Sequence, residues 1–198
     1  MLRAYLAGPD VFLPDPVAMG RRKKEICAPY GLEGVFPMDA ELPLSGLAPA
    51  EAGFRIYQAN KALMESCALA IANMTPFRGP SMDAGTAFEM GFMRARGRPV
   101  LGYTNVAPNF RTRTEAFFAP RALTPRGKLL LAPDDLSVES FEMADNLMLE
   151  SAVLESGFAV VRRAVPEDER YTNLEAFTEC VKLAAERFAD RAAPPPLS

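Results

Sequence analysis

Three polar side chains, spaced three residues apart, give this sequence its clearest chemical pattern. Asp83, Thr86 and Glu89 stand at that spacing in a stretch of small and apolar residues, with Gly85 and Gly91 beside them. Steps of three residues bring side chains to one side of a helix, and glycines next to them leave room for a flat ring. Two carboxylates in one crevice suit chemistry at the anomeric carbon of a sugar. The spacing alone is equally compatible with a helix-capping aspartate and a glutamate in solvent.

The residue types that are missing narrow the chemistry further. The chain of 198 residues contains no histidine, which excludes Ser-His-Asp triads, Cys-His dyads, HExxH zinc sites and any imidazole base. Its 25 acidic and 22 basic residues leave a net charge of -3, so neither a nucleic-acid partner nor an anionic membrane surface is expected. No phosphate loop of the GxxxxGK[ST] or GxGxxG type is present. We therefore expect chemistry without a metal or an organic cofactor.

The cysteines and the amino terminus indicate the compartment. Cys27, Cys67 and Cys180 are odd in number, far apart and without a CxxC pair, as expected for buried free thiols in a reducing compartment. The first apolar stretch is too short for a signal peptide, and no run of 18 apolar residues follows it. These features predict a cytoplasmic protein without a membrane segment.

Short apolar runs alternate with amphipathic stretches, which is typical of a doubly wound α/β sheet flanked by helices. Strands are predicted at 2–7, 33–36, 67–72 and 100–103, with further candidates at 129–131 and 159–163. Helices are predicted at 15–27, 49–66, 83–96 and 143–155, and an apolar stripe from Leu174 to Phe188 predicts a last one. The basic run 21–24 is expected on a solvated helix face. The length predicts one domain, 1–191, and a disordered proline-rich tail, 192–198.

The loop after the third predicted strand carries the chemical pattern. That strand is almost wholly apolar, as a central strand buried on both faces would be. Because ligands bind open α/β sheets beyond the carboxyl ends of the strands, Asp83 and Glu89 are expected at the ligand edge, with Asp83 capping a helix. Phe12 and Phe77 follow the first and third strands, and either could stack on a base or belong to the core.

Six segments, found together and in order, resemble the nucleoside 2-deoxyribosyltransferase family. They are Tyr5-Leu6-Ala7-Gly8-Pro9, Phe36-Pro37-Met38-Asp39, Ile56-Tyr57-Gln58-Ala59-Asn60, the run from Ala72 to Pro80, Asp83-x-Gly85-Thr86-x-x-Glu89-x-Gly91, and Ala144-Asp145-Asn146-Leu147. The resemblance extends over roughly residues 2–160, most of a typical domain. Each motif is short, but the ordered set is specific.

The resemblance implies a flavodoxin-like, mostly parallel sheet in a homo-oligomer, from a dimer to a hexamer. It implies transfer of 2-deoxyribose between purine or pyrimidine bases, with retention at the anomeric carbon, in nucleotide salvage. Deoxyribonucleosides and free nucleobases are then the partners. Glu89 matches the family nucleophile, Tyr5 the tyrosine that orients it, and Asp83 the residue that holds the sugar hydroxyls. Asn146 matches an asparagine that reaches into the neighbouring subunit's site.

Two positions differ from the family pattern. Asn60 stands where several members have the aspartate that protonates the departing base, and an amide has no titrating proton to give. Asp10, Asp39, Glu41 or a water molecule could take that role. Glu41 also stands where relatives carry a base-contacting glutamine. Together with Asn60, Glu41 and Asn146, the predicted substrate contacts are Asp39, Phe12, Phe77, Gly8 and Gly85.

Three other functions remain open from the sequence. The first is hydrolysis of nucleosides or their 5′-monophosphates on the same scaffold, although relatives specialised for monophosphates carry serine where Asp83 stands, and a carboxylate repels phosphate. The second is a phosphoribohydrolase with a PGGxGTxxE loop, whose paired glycines this chain lacks. The third, from a different class, is a nucleoside-binding module without catalysis.

Overall fold

Parallel pairing of five strands organises the computed structural model, which describes residues 1–192. The strands are β1 (Leu2–Ala7), β2 (Leu32–Val35), β3 (Leu69–Asn73), β4 (Val100–Thr104), β5 (Thr124–Arg126), β6 (Leu129–Leu131) and β7 (Val161–Arg162). The parallel sheet has the order β2-β1-β3-β4-β7, while β5 and β6 form a separate antiparallel hairpin. This order is that of the flavodoxin-like doubly wound fold, as predicted.

Helices cover both faces of the sheet. They are α1 (Pro16–Cys27), α2 (Pro49–Glu65), α3 (Ala84–Ala95), α4 (Phe110–Phe118), α5 (Leu147–Glu155) and α6 (Glu175–Ala192). Side chains of α1 and α6 pack with Leu6 of β1 on one face, and side chains of α2, α3 and α5 pack with Tyr5 on the other. Successive residues of a strand point to opposite faces of the sheet, so neighbouring residues of β1 pack into different halves of the core. None of the helices within residues 1–192 has the length and apolar character to cross a bilayer.

The centre of the sheet is dry because its strands are apolar throughout. All five residues of β3 and all five of β4 are buried, as the continuous apolar runs predicted. The predicted stripe of α6 is core: Phe177, Val181 and Ala184 are buried and Phe188 packs against them. The three cysteines are free and buried, also as predicted. The predicted tail, 192–198, lies outside the described residues apart from Ala192, which ends α6.

Helix boundaries follow the capping residues. The Asp15 carboxylate accepts a hydrogen bond from the Ala18 amide and starts α1. The helix predicted from 143 begins only at Leu147, because Asn146 caps it. Helix α4 was not predicted, since prolines and arginines obscure its pattern, although Asn109 caps it in the usual way.

The prediction that the basic run 21–24 lies on a solvated helix face is wrong for one residue. Arg21 and Arg22 are exposed, but Lys23 is buried and its Nζ lies 2.8 Å from Oδ2 of Asp10, each side chain being 1% exposed. The ammonium also lies over the rings of Tyr103 and Phe177. Lys23 falls four residues after Met19 and four before Cys27, both buried, so helical spacing places it on the inward face. Residue type alone suggested the opposite.

We expect Lys23→Met to lower the free energy of unfolding by about 3–5 kcal/mol, because it leaves the Asp10 carboxylate buried without a counter-charge. Removing both charges in Lys23→Met/Asp10→Asn is expected to restore a large part of that loss. Urea denaturation measures both changes. Arg21→Met, on the exposed side of the same helix, is the control and should change stability by less than about 0.5 kcal/mol. Equal stability of the Lys23 and Arg21 variants would contradict a stabilising ion pair.

Candidate active site

One hydrogen bond joins the central sheet to the predicted nucleophile. The buried Tyr5 hydroxyl, on β1, donates to Oε1 of Glu89, on the second turn of α3, at 2.6 Å. Tyr5 is wholly buried, whereas Glu89 is only partly so, which places the carboxylate at the boundary between core and solvent. Because the phenol occupies one oxygen, Oε2 is left for a ligand.

Asp83 begins α3, as predicted. Its Oδ2 accepts hydrogen bonds from the Thr86 amide at 2.9 Å and from the Thr86 hydroxyl at 3.0 Å. Both bonds end on the same oxygen, so Oδ1 can accept from a ligand. A Cβ on Gly85 would lie 3.0 Å from Oδ2, so the glycine keeps the cap uncrowded. The predicted start of the helix at Asp83 is therefore present, and Glu89 follows within the same helix.

The surroundings of Glu89 favour its neutral form. Burial, opposed by the hydrogen bond from Tyr5 and assisted by the negative charge of Asp83, raises the pKa of Glu89 to about 7. Burial and then the nearby Glu89 charge raise the pKa of Tyr5 far above its ordinary value, so the phenol keeps its proton and acts as a donor. A raised pKa also means that the carboxylate oxygens are more basic, which makes them better nucleophiles.

Helix α2 brings Asn60 to the same face of the sheet. The ring of Tyr57, on α2, lies 6.1 Å from that of Phe88, on α3, so the two helices meet through these side chains. Asn60 follows Tyr57 by three residues and shares its side of the helix. Its Oδ1 is buried and has no hydrogen-bond partner in the described part of the chain. An orphaned buried acceptor of this kind suits a donor on a ligand.

The loop after β1 is shaped by the buried ion pair. A Cβ on Gly8 would lie 2.2 Å from Oδ2 of Asp10 and 2.8 Å from Cβ of Asn73, so Gly8 permits Asp10 to fold back over the strand end. With its side chain buried against Lys23, Asp10 cannot reach a departing base. The structure thus removes Asp10 from the candidates for a general acid and gives it a role in positioning the loop.

Two further predicted residues lie in the segment after β2. Asp39 pairs with Lys24 through Oδ1 and accepts the Phe36 amide through Oδ2 at 2.8 Å, so both oxygens serve the local turn. Glu41 is exposed and makes no hydrogen bond or ion pair within residues 1–192. The structure does not bring either side chain into contact with Tyr5 or Glu89.

Phe12 and Phe77 form a stacked pair beyond the carboxyl ends of β1 and β3. Their ring centroids are 5.1 Å apart and the rings are nearly parallel, at 14°. Phe12 is 56% exposed, so this pair is not core. The guanidinium of Arg78 lies 4.7 Å from the Phe77 ring and 5.4 Å from the Phe12 ring. Tyr171 meets the edge of Phe77 and donates its hydroxyl to the Pro76 carbonyl.

Asn146 lies elsewhere in the same chain. Its Oδ1 accepts the Met148 amide at 3.0 Å, and its Nδ2 donates to Glu139 at 2.6 Å. The preceding Asp145 is buried and accepts the Ser81 hydroxyl and the Met82 amide, which ties the start of α5 to the loop before α3. The described contacts of Asn146 therefore include neither Tyr5 nor Glu89.

Sequence reasoning did not assign roles to Lys23, Arg78, Asp145 or Tyr171. Asp145 and Arg78 stood inside recognised motifs but were given no role. Lys23 had a signal in its spacing, as described above. Tyr171 had none, because its contact with Phe77 joins residues far apart along the chain.

The chain is similar in sequence and in structure to known proteins. Residues 4–148 match the family model described as nucleoside 2-deoxyribosyltransferase. An uncharacterised protein of Schizosaccharomyces pombe, C191.05c, is 32% identical over an alignment 174 residues long that covers 82% of this chain and 82% of that one. A solved structure described as a 2-desoxiribosyltransferase from Leishmania mexicana superposes with a TM-score of 0.60 at 25% identity, covering 90% of this chain and 98% of that one.

The raised pKa of Glu89 predicts how stability varies with pH. Folding raises this pKa above its unfolded value to about 7, so between pH 4.5 and 7 the folded protein holds a proton that the unfolded chain has lost, and stability falls as pH rises. Glu89→Gln removes the free-energy cost of burying a charged carboxylate. At pH 8 the variant should therefore have a higher melting temperature than the parent protein, by roughly 2–4 °C for each kcal/mol gained. At pH 4 the two proteins should melt at the same temperature.

The measurement is thermal unfolding by circular dichroism at the two pH values. The chain has no histidine, so little else titrates in this window. Glu25→Gln, an exposed position on α1, is the matched control and should shift the midpoint equally little at both pH values. If the melting temperatures of Glu89→Gln and the parent protein differ by the same amount at pH 4 and pH 8, Glu89 is not a buried carboxylate that becomes charged over this range.

Proposed function

This chain belongs to the nucleoside 2-deoxyribosyltransferase family, and from that premise we propose that it transfers 2-deoxyribose from one nucleobase to another. The observation that carries the proposal is the Glu89 carboxylate, held by the Tyr5 hydroxyl at the boundary of the core and preceded on the same helix by the Asp83 cap. The similar Leishmania mexicana structure, described as a 2-desoxiribosyltransferase, supports it.

Glu89 forms a covalent intermediate in the first half-reaction. Oε2 attacks C1′ of the donor nucleoside through an oxocarbenium-like state, a C1′–O bond forms, and the bond from C1′ to the base nitrogen breaks with its electron pair on the base. Tyr5 keeps Oε1 in place and Oε2 aimed at the sugar. By its match to the family's tyrosine, Tyr5 also crowds the 2′ position, which favours a 2-deoxy sugar.

The second half-reaction restores the enzyme. A nitrogen of the incoming base attacks C1′, and the C1′–O bond breaks to return the Glu89 carboxylate. Two displacements at one carbon give overall retention. Only ionised Glu89 can attack, so the rate of the first step falls as pH drops below the pKa of about 7.

Asp83 binds the sugar and selects against nucleotides. Its Oδ2 is engaged by Thr86, which fixes the carboxyl plane, and Oδ1 accepts from a sugar hydroxyl. A 5′-phosphate would meet this negative charge, so nucleosides are preferred to 5′-monophosphates.

The departing base needs a proton that Asn60 cannot supply. Of the three carboxylates considered, Asp10 is buried in an ion pair and Asp39 is engaged through both oxygens. Glu41 alone is exposed and uncommitted. We therefore assign the proton to Glu41 or to a water molecule. The unpartnered Oδ1 of Asn60 accepts a donor on the base edge, and the exposed Phe12 ring stacks on its face.

Asn146 completes the site of a neighbouring subunit in a homo-oligomer. Within its own chain its contacts are with Glu139 and Met148. Three large aromatic side chains on α2 and α3 support self-association, because exposed apolar clusters mark interaction surfaces: Phe54, Tyr57 and Phe88 are 57%, 43% and 52% exposed.

Base exchange tests the activity. Deoxyinosine mixed with free adenine and the protein should give deoxyadenosine and hypoxanthine, separated by chromatography. Incubation with a 2-fluorinated deoxyribonucleoside should leave sugar on the peptide that contains Glu89, because fluorine destabilises the cationic transition state of turnover. Glu89→Gln should lose roughly 10³- to 10⁶-fold in rate.

The outcomes separate the alternatives. Free hypoxanthine without a new nucleoside would identify a hydrolase, and binding without turnover would identify a nucleoside-binding module. Label on Asp83 or on a cysteine would overturn the assignment of Glu89. Glu25→Gln, an exposed glutamate on α1, should turn over like the parent protein.

Subunit mixing tests the role of Asn146. Asn146→Ala and Glu89→Ala should each be nearly inactive, whereas an equal mixture should regain about a quarter of the parent activity in a dimer, since one site in each mixed pair has both residues. Glu89→Ala mixed with Asp83→Ala is the control, because both changes damage the site of their own subunit. No recovery after confirmed subunit exchange would show that Asn146 does not act across an interface.

A further inference from the structure

Arg78 is held in place but has no partner for its charge. Its guanidinium lies within 6 Å of both rings of the Phe12–Phe77 pair, which orders a side chain that is otherwise exposed. Among the described residues it forms no ion pair and no side-chain hydrogen bond. Lack of an ion pair is not in itself unusual for an exposed arginine here, since Arg21 and Arg22 also form none among the described residues; the contact with two aromatic rings is what distinguishes Arg78 from them.

The backbone at Arg78 is also unusual. Its φ is +55°, the left-handed region in which a residue with a side chain is strained. A glycine would adopt this backbone conformation at no steric cost. A charged residue kept in a strained conformation, beside two rings at the ligand edge, suggests that its side chain serves a ligand.

The position of Arg78 relates it to the proposed base site. Phe12 follows β1 and Phe77 follows β3, and these strands are neighbours in the sheet. Glu89 is held by Tyr5 of β1. A base on a sugar bound at Glu89 would therefore lie beyond the same edge of the sheet as the aromatic pair and the guanidinium beside it.

We propose that Arg78 determines base specificity by binding the O6 and N7 acceptors of a 6-oxopurine such as hypoxanthine or guanine; this rests on the function proposed above. A guanidinium carries only donors, in a planar fork. O6 and N7 offer two adjacent acceptors that match this fork. Adenine presents an amino group next to N7, so one donor of Arg78 would face another donor. A phosphate also presents only acceptors, but Asp83 disfavours it near the sugar.

The test compares acceptor bases in the parent protein and in Arg78→Met, which keeps the apolar stem and removes the donors. With thymidine as donor, kcat/KM for hypoxanthine should fall roughly 10- to 100-fold, while that for adenine should change less than about threefold. Arg21→Met, an exposed arginine on α1, should leave both values unchanged. Arg78→Gly suits the left-handed backbone, so it should fold at least as well as the parent and still lose the preference for hypoxanthine.

A binding measurement makes the result independent of turnover. Calorimetric titration with free hypoxanthine should show the same selective loss in Arg78→Met, and 7-deazahypoxanthine, which lacks the N7 acceptor, should bind the parent more weakly but the variant equally. If the parent protein transfers no sugar, the proposed function fails while this titration still decides the role of Arg78. Equal losses for hypoxanthine and adenine would overturn the proposal. Losses confined to 5′-monophosphate donors would also overturn it, in favour of a phosphate contact.

Discussion

The hydrogen bond between the Tyr5 hydroxyl and the Glu89 carboxylate connects the fold of this protein to its chemistry. Tyr5 can donate to Glu89 only because β1 lies inside the sheet, between β2 and β3, with α3 packed over it. The position of Glu89 depends in turn on where α3 begins, which Asp83 fixes by capping its first turn. A one-residue shift in either element would turn one of the two side chains away from the other.

Placing a carboxylate at the edge of a dry core has an energetic cost, which the proposed function would explain. Burial raises the pKa of Glu89, so the charged form that the proposed attack requires is disfavoured. On the same face of the sheet, Oδ1 of Asn60 is also buried without a partner among the described residues. Folded proteins leave few buried polar atoms unpaired, and those they leave are concentrated where ligands bind. The rest of the sheet, closed by apolar side chains on both faces, supplies the stability that offsets this cost.

The loop after β1 shows how a second interaction supports the first. Asp10 and Lys23 form an ion pair in the core, and Gly8 allows the chain to fold tightly over it. This anchors the segment that presents Phe12 to Phe77. The aromatic rings proposed to stack on a base thus follow adjacent strands of the sheet, as does the site proposed to attack the sugar. Buried contacts hold both in place.

The sequence by itself determined the parallel sheet and the main helices. Continuous apolar runs specify strands buried on both faces, and helical spacing specifies the core side of α6. These features depend on residues close together in the chain or on residue type. Motifs in a fixed order along the chain pointed to Glu89, Tyr5 and Asp83, whose catalytic roles stay a prediction.

Only the tertiary structure decided which polar residues stabilise the fold and are therefore not available to a ligand. By residue type alone, Lys23 and Asp39 resemble any charged residue in solvent, but Lys23 is buried in an ion pair and Asp39 stabilises a turn. Arg78 lies beside the ring of Phe12, and Tyr171 beside that of Phe77, and in both cases the ring belongs to a distant segment of the chain. The physical reason is that burial and pairing depend on what packs against a side chain, and those neighbours are brought together only when the chain folds.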